Sequence, residues 1–282
     1  MSNKHLLIIG AKGGLANLTI KKLLKKYPRL KITGIDTRIL ETPIKSKRYK
    51  YKLLEYKRGD FENLFRENEF DSVLYLSRVT HSSISNNLLQ KRLNLSVQGT
   101  QTILDLALKN NVKKMVILSS FHVYGALNDN PIFLDERFPL RGSLKFPELR
   151  DVVEMDQRCE AWMHENKEVI DSVILRPTNI IGKNLRNGIT NYLTHPLSFF
   201  PMDYNPTVQF IHEEDMASVL VESLRVSPGL YNVTPPGYVS IKDAVLQVNP
   251  DAYSLPVFLL SRLNSIANKK LGVPGYLLDY LK

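Results

Sequence analysis

The chain has 282 residues, 43% hydrophobic and 23% charged, with a formal net charge of +10 at pH 7. This composition suits a globular chain with a sizeable core; it excludes collagen-like and low-complexity polymers, and no stretch reaches the ~20 apolar residues of a membrane-spanning helix. A single cysteine, Cys159, excludes an internal disulfide and suits a reducing compartment, and the short apolar stretch after His5 does not read as a signal peptide, so a cytoplasmic location is expected.

The chain opens with an apolar run, Leu6-Leu7-Ile8-Ile9, that breaks into Gly10-Ala11-Lys12-Gly13-Gly14-Leu15-Ala16 and restarts with helical spacing at Leu18, Leu23 and Leu24. A parallel strand that hands over to a helix through glycines suits a pyrophosphate. The glycines allow close backbone approach, and the first-turn N–H groups and helix dipole bind the anion. The small residues Gly10, Gly13 and Ala16 fall at three-residue steps, looser than G-x-G-x-x-G, and a plain strand-to-helix turn also recruits glycine. Context favours a dinucleotide. The second strand, Lys31 to Ile35, ends in Asp36, at the separation of roughly 20 residues where an acid meets the adenosine ribose. By itself Asp36 would read as a loop acid. Arg38, two residues on, is placed to face a 2′-phosphate, so NAD is favoured and NADP stays open.

Charge is unevenly spread: the first sixty residues hold 12 lysines and 4 arginines against 4 acids. Much of the excess lies in Lys45, Lys47, Arg48, Lys50, Lys52, Lys57 and Arg58, interleaved with tyrosines. Such a run could track a nucleic-acid backbone or an anionic membrane. A solvated strand beside an anionic cofactor is the expected use, with no nucleic-acid binding at physiological salt and no peripheral membrane contact.

Strands and helices then alternate, the pattern of a parallel sheet covered on both faces. Gly59-Asp60-Phe61 follows strand three, a helix is expected over Glu62 to Asn68, and strand four, Ser72 to Leu76, leads to Ser77-Arg78-Val79-Thr80 at its carboxyl end. A long helix carries Asn94 to Ala107, strand five is Met115 to Leu118, and strand six, Ser172 to Leu175, closes at Arg176-Pro177-Thr178-Asn179. The expected fold is α/β, a Rossmann-type doubly wound parallel sheet of about seven strands. Residues 1–182 and 207–233 form this cofactor domain, and 183–206 and 234–282 a small C-terminal substrate lobe. The apolar tail Leu255 to Leu260, with Leu263 and Ile266, is expected to cover its own domain.

The chain resembles the extended short-chain dehydrogenase/reductases, the NAD-dependent epimerase/dehydratase group. The matching stretches are the glycine turn, Gly59-Asp60-Phe61, NLSVQGTQTILDL from Asn94, LSSFHVYG at 118–125, LRPTNIIG at 175–182, FIHEEDMA at 210–217 and GLYNV at 229–233. The resemblance implies cofactor contacts from Gly10, Gly13, Leu15, Asp36, Asp60, Phe61, Leu76, Ser77 and Asn94; Gly14, Arg38, Ser119 and Thr178 are expected beside them. Ser120, three residues before Val123, matches the family's catalytic serine.

The pattern breaks at the chemistry. Family members use a tyrosine and a lysine four residues apart, the ammonium favouring the phenolate of a group whose pKa is otherwise ~10. Relatives read roughly F-P-Y-x-R-D-K, where this chain reads Phe146-Pro147-Glu148-Leu149-Arg150-Asp151-Val152, so Glu148 and Val152 take the two places. Only Tyr27 with Lys31 and Tyr238 with Lys242 have the right spacing, both elsewhere in the fold, and no tyrosine lies between Tyr124 and Tyr192. Two readings follow: an NAD(P)-binding module with lost or reassigned catalysis, or an enzyme on a small, sugar-like substrate that uses Ser120 and Glu148. His122, His81 and Arg78 read as pocket-lining or structural groups, His164 as packing with Trp162 and Met163, and His212 and Asp215 as fixing a loop and a helix start. Lys183 and Arg186 read as loop charges that can meet an anion. No metal-ligand cluster is present, and a monomer or homodimer is expected.

Overall fold

The computed structural model describes residues 4–42, 44–55, 57–77, 86–259, 277 and 280, with 86–96 described by their backbone. The first half of the chain forms β1 (His5–Ile9), α1 (Gly14–Lys26), β2 (Lys31–Asp36), β3 (Tyr49–Leu53), α2 (Arg58–Glu67), β4 (Ser72–Tyr75), α3 (Asn86–Lys109) and β5 (Lys114–Leu118). After a 3₁₀ turn at Phe121–Tyr124 come α4 (Gly142–Lys145), a second 3₁₀ turn at Pro147–Leu149, α5 (Arg150–Glu165), β6 (Asp171–Pro177) and β7 (Asn179–Ile181). The remainder is α6 (Gly188–Thr194), β8 (Phe199–Pro201), β9 (Thr207–Val208), β10 (Phe210–His212), α7 (Glu213–Glu222), β11 (Gly229–Val233), β12 (Val239–Ser240), α8 (Ile241–Val248) and β13 (Tyr253–Leu255).

Seven strands form one sheet in the order β11-β6-β5-β4-β1-β2-β3, every pair parallel. The alternation of side chains along a strand sends Leu6 and Ile8 of β1 to one face and Leu7 and Ile9 to the other, each into its own core. On the first face Ile20 and Leu23 of α1 pack with Met216 and Leu220 of α7, and on the second Ile103 and Leu104 of α3 pack with Val153 and Cys159 of α5. Full burial of each such side chain stabilises by roughly 1.5–3 kcal/mol. Strand order reverses between β1 and β4, both hydrogen-bonded neighbours, and in an open parallel sheet ligands bind outside the carboxyl ends at that point. The doubly wound expectation holds.

Three local expectations need correction. Helix α2 starts at Arg58, because Phe61, Leu64 and Phe65 bury one helical face and Arg58 pairs with Glu62 at 2.9 Å, so Gly59-Asp60-Phe61 lies in its first turn. Helix α3 contains the whole stretch from Asn94 to Ala107, as expected, within Asn86–Lys109. In α5, Trp162 and Met163 are buried, whereas His164, a further 100° round the helix, is exposed. The tail is a strand at its start: β13 pairs parallel with β8, and Leu255 and Val257 pack on the core while Phe258 is exposed. Leu260, Leu263 and Ile266 lie outside the described residues.

The basic run has structural uses. β3 is an edge strand, and charged side chains on an edge discourage pairing with another chain. Arg48 donates from both terminal nitrogens to the carbonyls of Tyr27 and Leu24, each at 2.8 Å, closing the C-terminus of α1. Lys52 pairs with Glu67 and Lys57 with Glu55. Among the described residues, no helix is long and apolar enough to cross a membrane.

Candidate functional site

The site is built on the turn between β1 and α1. Gly10 sits at φ +88, and a Cβ there would lie 2.9 Å from the Ser77 nitrogen, so the turn and the end of β4 touch only because residue 10 is glycine. The N–H groups of Gly10 and Ala11 both donate to the Ile35 carbonyl, at 2.9 and 3.0 Å, which fixes the turn against β2. Gly13 is the extended N-cap of α1 with no side-chain cap, so the first-turn N–H groups lack the usual side-chain acceptor. Gly14 is crowded: a Cβ would meet the Asn184 carbonyl oxygen at 2.1 Å. Leu15 is buried in the α1 core. Gly10→Ala is expected to cost about 2 kcal/mol from the left-handed backbone and the clash together, and to weaken dinucleotide binding tenfold or more, readable by urea denaturation and calorimetry.

A clamp that sequence reasoning missed supports this turn from the far side. Glu213 is 1% exposed. Its carboxylate accepts from the Asn184 backbone N–H and from Asn184 Nδ2, the latter at 2.7 Å, and fills the space where Gly182 would carry a Cβ. The FIHEEDMA and LRPTNIIG stretches therefore hold Asn184 against Gly14. His212 is the N-cap of α7, its Nδ1 accepting from the Glu214 N–H at 3.3 Å, so its role is structural.

Asp36 lies at the end of β2 with a side chain 5% exposed. Burial would raise its pKa, but the Arg38 guanidinium and the Lys12 and Arg38 backbone N–H groups outweigh it and hold the carboxyl below its ordinary value. Its stabilising contribution is present above the unfolded carboxylate range and is lost as pH falls through the lowered folded value. Asp60 is half-exposed in the first turn of α2, whereas Phe61 is 2% exposed in the core. Leu76 and Ser77 are half-buried after β4, the Leu76 N–H donating to the Ile9 carbonyl at 2.9 Å. Arg78 and His81 lie outside the described residues, and Asn94 is placed by its backbone on α3.

At the carboxyl end of β5 the two serines part company. Ser119 is fully buried and its hydroxyl donates to Asp156, which ties the end of β5 to α5. Ser120 is 3% exposed and its Oγ accepts from the His122 N–H at 3.4 Å, starting the 3₁₀ turn. His122 Nδ1 lies 3.2 Å from the Tyr280 hydroxyl, and Phe121, His122 and Tyr280 form an aromatic cluster. No local signal marks Tyr280, because its partners are about half the chain away. Thr178 is stapled to β11 by its N–H on the Val233 carbonyl at 3.0 Å.

Glu148 lies in the 3₁₀ turn Pro147–Leu149, half-exposed, with no hydrogen bond or ion pair among the described residues. Val152, in the first turn of α5, is 7% exposed and packed in the second core. One turn on, Asp156 accepts from Arg176 Nε at 3.0 Å and from its Nη2, both side chains 0% exposed. Arg176 also donates to the Tyr124 hydroxyl at 3.1 Å and the Glu136 carbonyl at 3.0 Å, and pairs with Glu160 at 3.1 Å. Among the described residues no group of His, Cys, Asp and Glu is placed to hold a metal.

The sequence pattern of the NAD dependent epimerase/dehydratase family matches residues 6–234, from the first residue of the β1 core to the strand end beyond β11. The chain belongs to that family. Among curated relatives, the UDP-glucose 4-epimerase of Dictyostelium discoideum is 26% identical over 247 residues, covering 78% of this chain and 71% of the relative. Three mycobacterial relatives are spanned over 58% of their length. The UDP-glucose 4-epimerase of Thermus thermophilus in complex with NAD superposes with a TM-score of 0.73 at 16% identity, over 89% of this chain and 86% of that one. The UDP-N-acetylglucosamine 4-epimerase of Methanobrevibacter ruminantium, in complex with UDP-N-acetylmuramic acid, gives 0.74 at 18%, over 91% and 86%. At such identities the likeness is one of fold. The family is NAD-dependent by its description, and the strand ends fit a dinucleotide: a tight turn at Gly10, first-turn donors on α1 for the pyrophosphate and a carboxylate at the end of β2 for the ribose.

Proposed function

We propose that this chain binds NAD, and tolerates NADP, between the ends of β1, β2 and β4, and that it serves as a cofactor-binding module whose hydride-transfer machinery is lost or reassigned. The α1 N-terminus takes the pyrophosphate, Asp36 the adenosine ribose, Asp60 and the backbone at Phe61 the adenine edge, and Leu76, Ser77, Asn94 and Thr178 line the path toward Ser120. Nicotinamide, when bound, supplies a hydride acceptor or donor. The loss of chemistry rests on Val152: in the sequence register it stands where relatives read lysine, and its apolar side chain is 7% exposed. It can neither position a ribose nor tune a proton transfer. Residues 183–206 and 234–282 would form the small lobe over the cleft. The single cysteine, fully buried in α5 with burial pushing its thiol pKa up, fits a cytoplasmic role.

A second reading is favoured by Ser120 and Glu148. The serine is present at the carboxyl end of β5, and Glu148 lacks any partner among the described residues that would occupy its carboxylate. A working oxidoreductase, epimerase or dehydratase on a small, sugar-like substrate would use Ser120 to orient a substrate oxygen and Glu148 as base. Glu148→Gln separates the readings, since it abolishes an activity on the second and changes nothing on the first.

A further inference from the structure

Asp36 has no acceptor position to spare. A carboxylate offers about four lone-pair sites. Oδ1 accepts from the Arg38 backbone N–H at 3.2 Å and from Arg38 Nε at 2.9 Å, while Oδ2 accepts from the Lys12 N–H at 3.1 Å and from Arg38 Nη2 at 3.0 Å. The two backbone donors are fixed by the fold, one from the glycine turn itself. The other two belong to one guanidinium, and the Arg38 side chain is 59% exposed against 5% for Asp36. Tyr51 donates its hydroxyl to the Arg38 carbonyl, which anchors the Arg38 backbone and leaves the side-chain torsions as the hinge.

We propose that Arg38 is a displaceable plug on the ribose site whose two positions select two different adenosine ends. With the guanidinium on Asp36, the pair is neutral and shows its cation outward, so a 2′-phosphate meets an arginine where it would otherwise meet a bare carboxylate. With the guanidinium swung away, Asp36 regains two acceptor positions, which match the two hydroxyls of an unphosphorylated ribose. NAD binding therefore breaks a bidentate, charge-assisted pair and NADP binding keeps it. The chain discriminates between the two cofactors less than an acid at the end of β2 would by itself dictate. This inference rests on the dinucleotide reading above.

Calorimetric titration of the full chain with NAD and with NADP tests it, on the wild type, Arg38→Ala and Asp36→Asn. Wild-type affinities for the two cofactors should lie within about tenfold of each other. Arg38→Ala should tighten NAD severalfold and weaken NADP, moving the ratio by roughly a hundredfold, as expected for loss of a phosphate-facing cation beside an uncovered carboxylate. Asp36→Asn should weaken NAD and keep NADP. Raising the salt should weaken NADP more than NAD in the wild type, and less than NAD in Arg38→Ala, where the 2′-phosphate faces the bare carboxylate. Arg38 is exposed, so circular dichroism should show Arg38→Ala folded. An unchanged NAD-to-NADP ratio in Arg38→Ala, with both cofactors still binding, overturns the plug and leaves the dinucleotide reading standing. A wild type that binds neither cofactor overturns both.

Discussion

Asp156→Ala is expected to destabilise the protein by about 3–5 kcal/mol, the range for removing one partner of a buried ion pair. The substitution leaves Arg176 charged, fully buried and short of its principal acceptor, and strips Ser119 of the carboxylate its hydroxyl donates to. The remaining Arg176 partners, the Tyr124 hydroxyl, the Glu136 carbonyl and Glu160, carry one full charge between them and cannot replace a bidentate carboxylate. The Tyr124 hydroxyl donates in turn to Asn232 Oδ1 at 2.7 Å, so the disturbance passes into β11. Urea denaturation should report a lower midpoint with little change in slope. The double change Asp156→Leu with Arg176→Met should recover most of the loss, because well-packed apolar residues of similar volume replace buried ion pairs at little cost. A fall of under ~1 kcal/mol in Asp156→Ala would show that the network contributes little.

Glu148→Tyr with Val152→Lys is expected to raise hydride transfer from a wild-type level about 10²- to 10⁴-fold below that of a site with a positioned acid/base, the usual worth of such a group. Each half of the change has a distinct role. Lysine at 152 replaces a side chain that is 7% exposed, so its stem lies along the core while its ammonium reaches toward the cleft, at a stability cost of about 1–3 kcal/mol. Tyrosine at 148 supplies a phenol whose pKa that ammonium brings down from ~10. Neither single change should suffice, since lysine without the tyrosine has no phenol to tune and tyrosine by itself is a poor acid or base at neutral pH. Single-turnover absorbance of the reduced nicotinamide, with small sugars and nucleotide sugars as substrates, reads the gain. Equal rates in the wild type and the double variant would place the chemistry elsewhere.

The parts of the fold that follow from local pattern were legible. An apolar strand, a glycine turn and a helical repeat lie within twenty-odd consecutive residues, and their periodicities announce them; the same holds for the alternation that gives the parallel sheet. What depends on a distant partner was not. Arg176 read as the residue closing a strand, and nothing around it says that Asp156 of α5 waits beneath. Glu213 stood in the FIHEEDMA stretch with no role of its own, yet its carboxylate turns inward to hold Asn184. Ser119 read as a cofactor contact from its strand-end motif, and nothing local shows that Asp156 of α5 takes its hydroxyl. Arg38 read as a group for a phosphate, and its fold back onto Asp36 needed two residues of backbone geometry that no periodicity encodes. Helix α2 began earlier than expected because Phe61 belongs to its buried face, a fact visible only once that face has something to pack on.

Titration of the wild-type chain with NAD, followed by a search for reduced nicotinamide and for epimerised or dehydrated product over a panel of nucleotide sugars and smaller polyols, is the most direct test of the central claim. The account predicts saturable, enthalpically detectable NAD binding, weakened tenfold or more in Gly10→Ala, and neither substrate-dependent reduction nor a changed sugar. Turnover by the wild type that disappears in Glu148→Gln would contradict it.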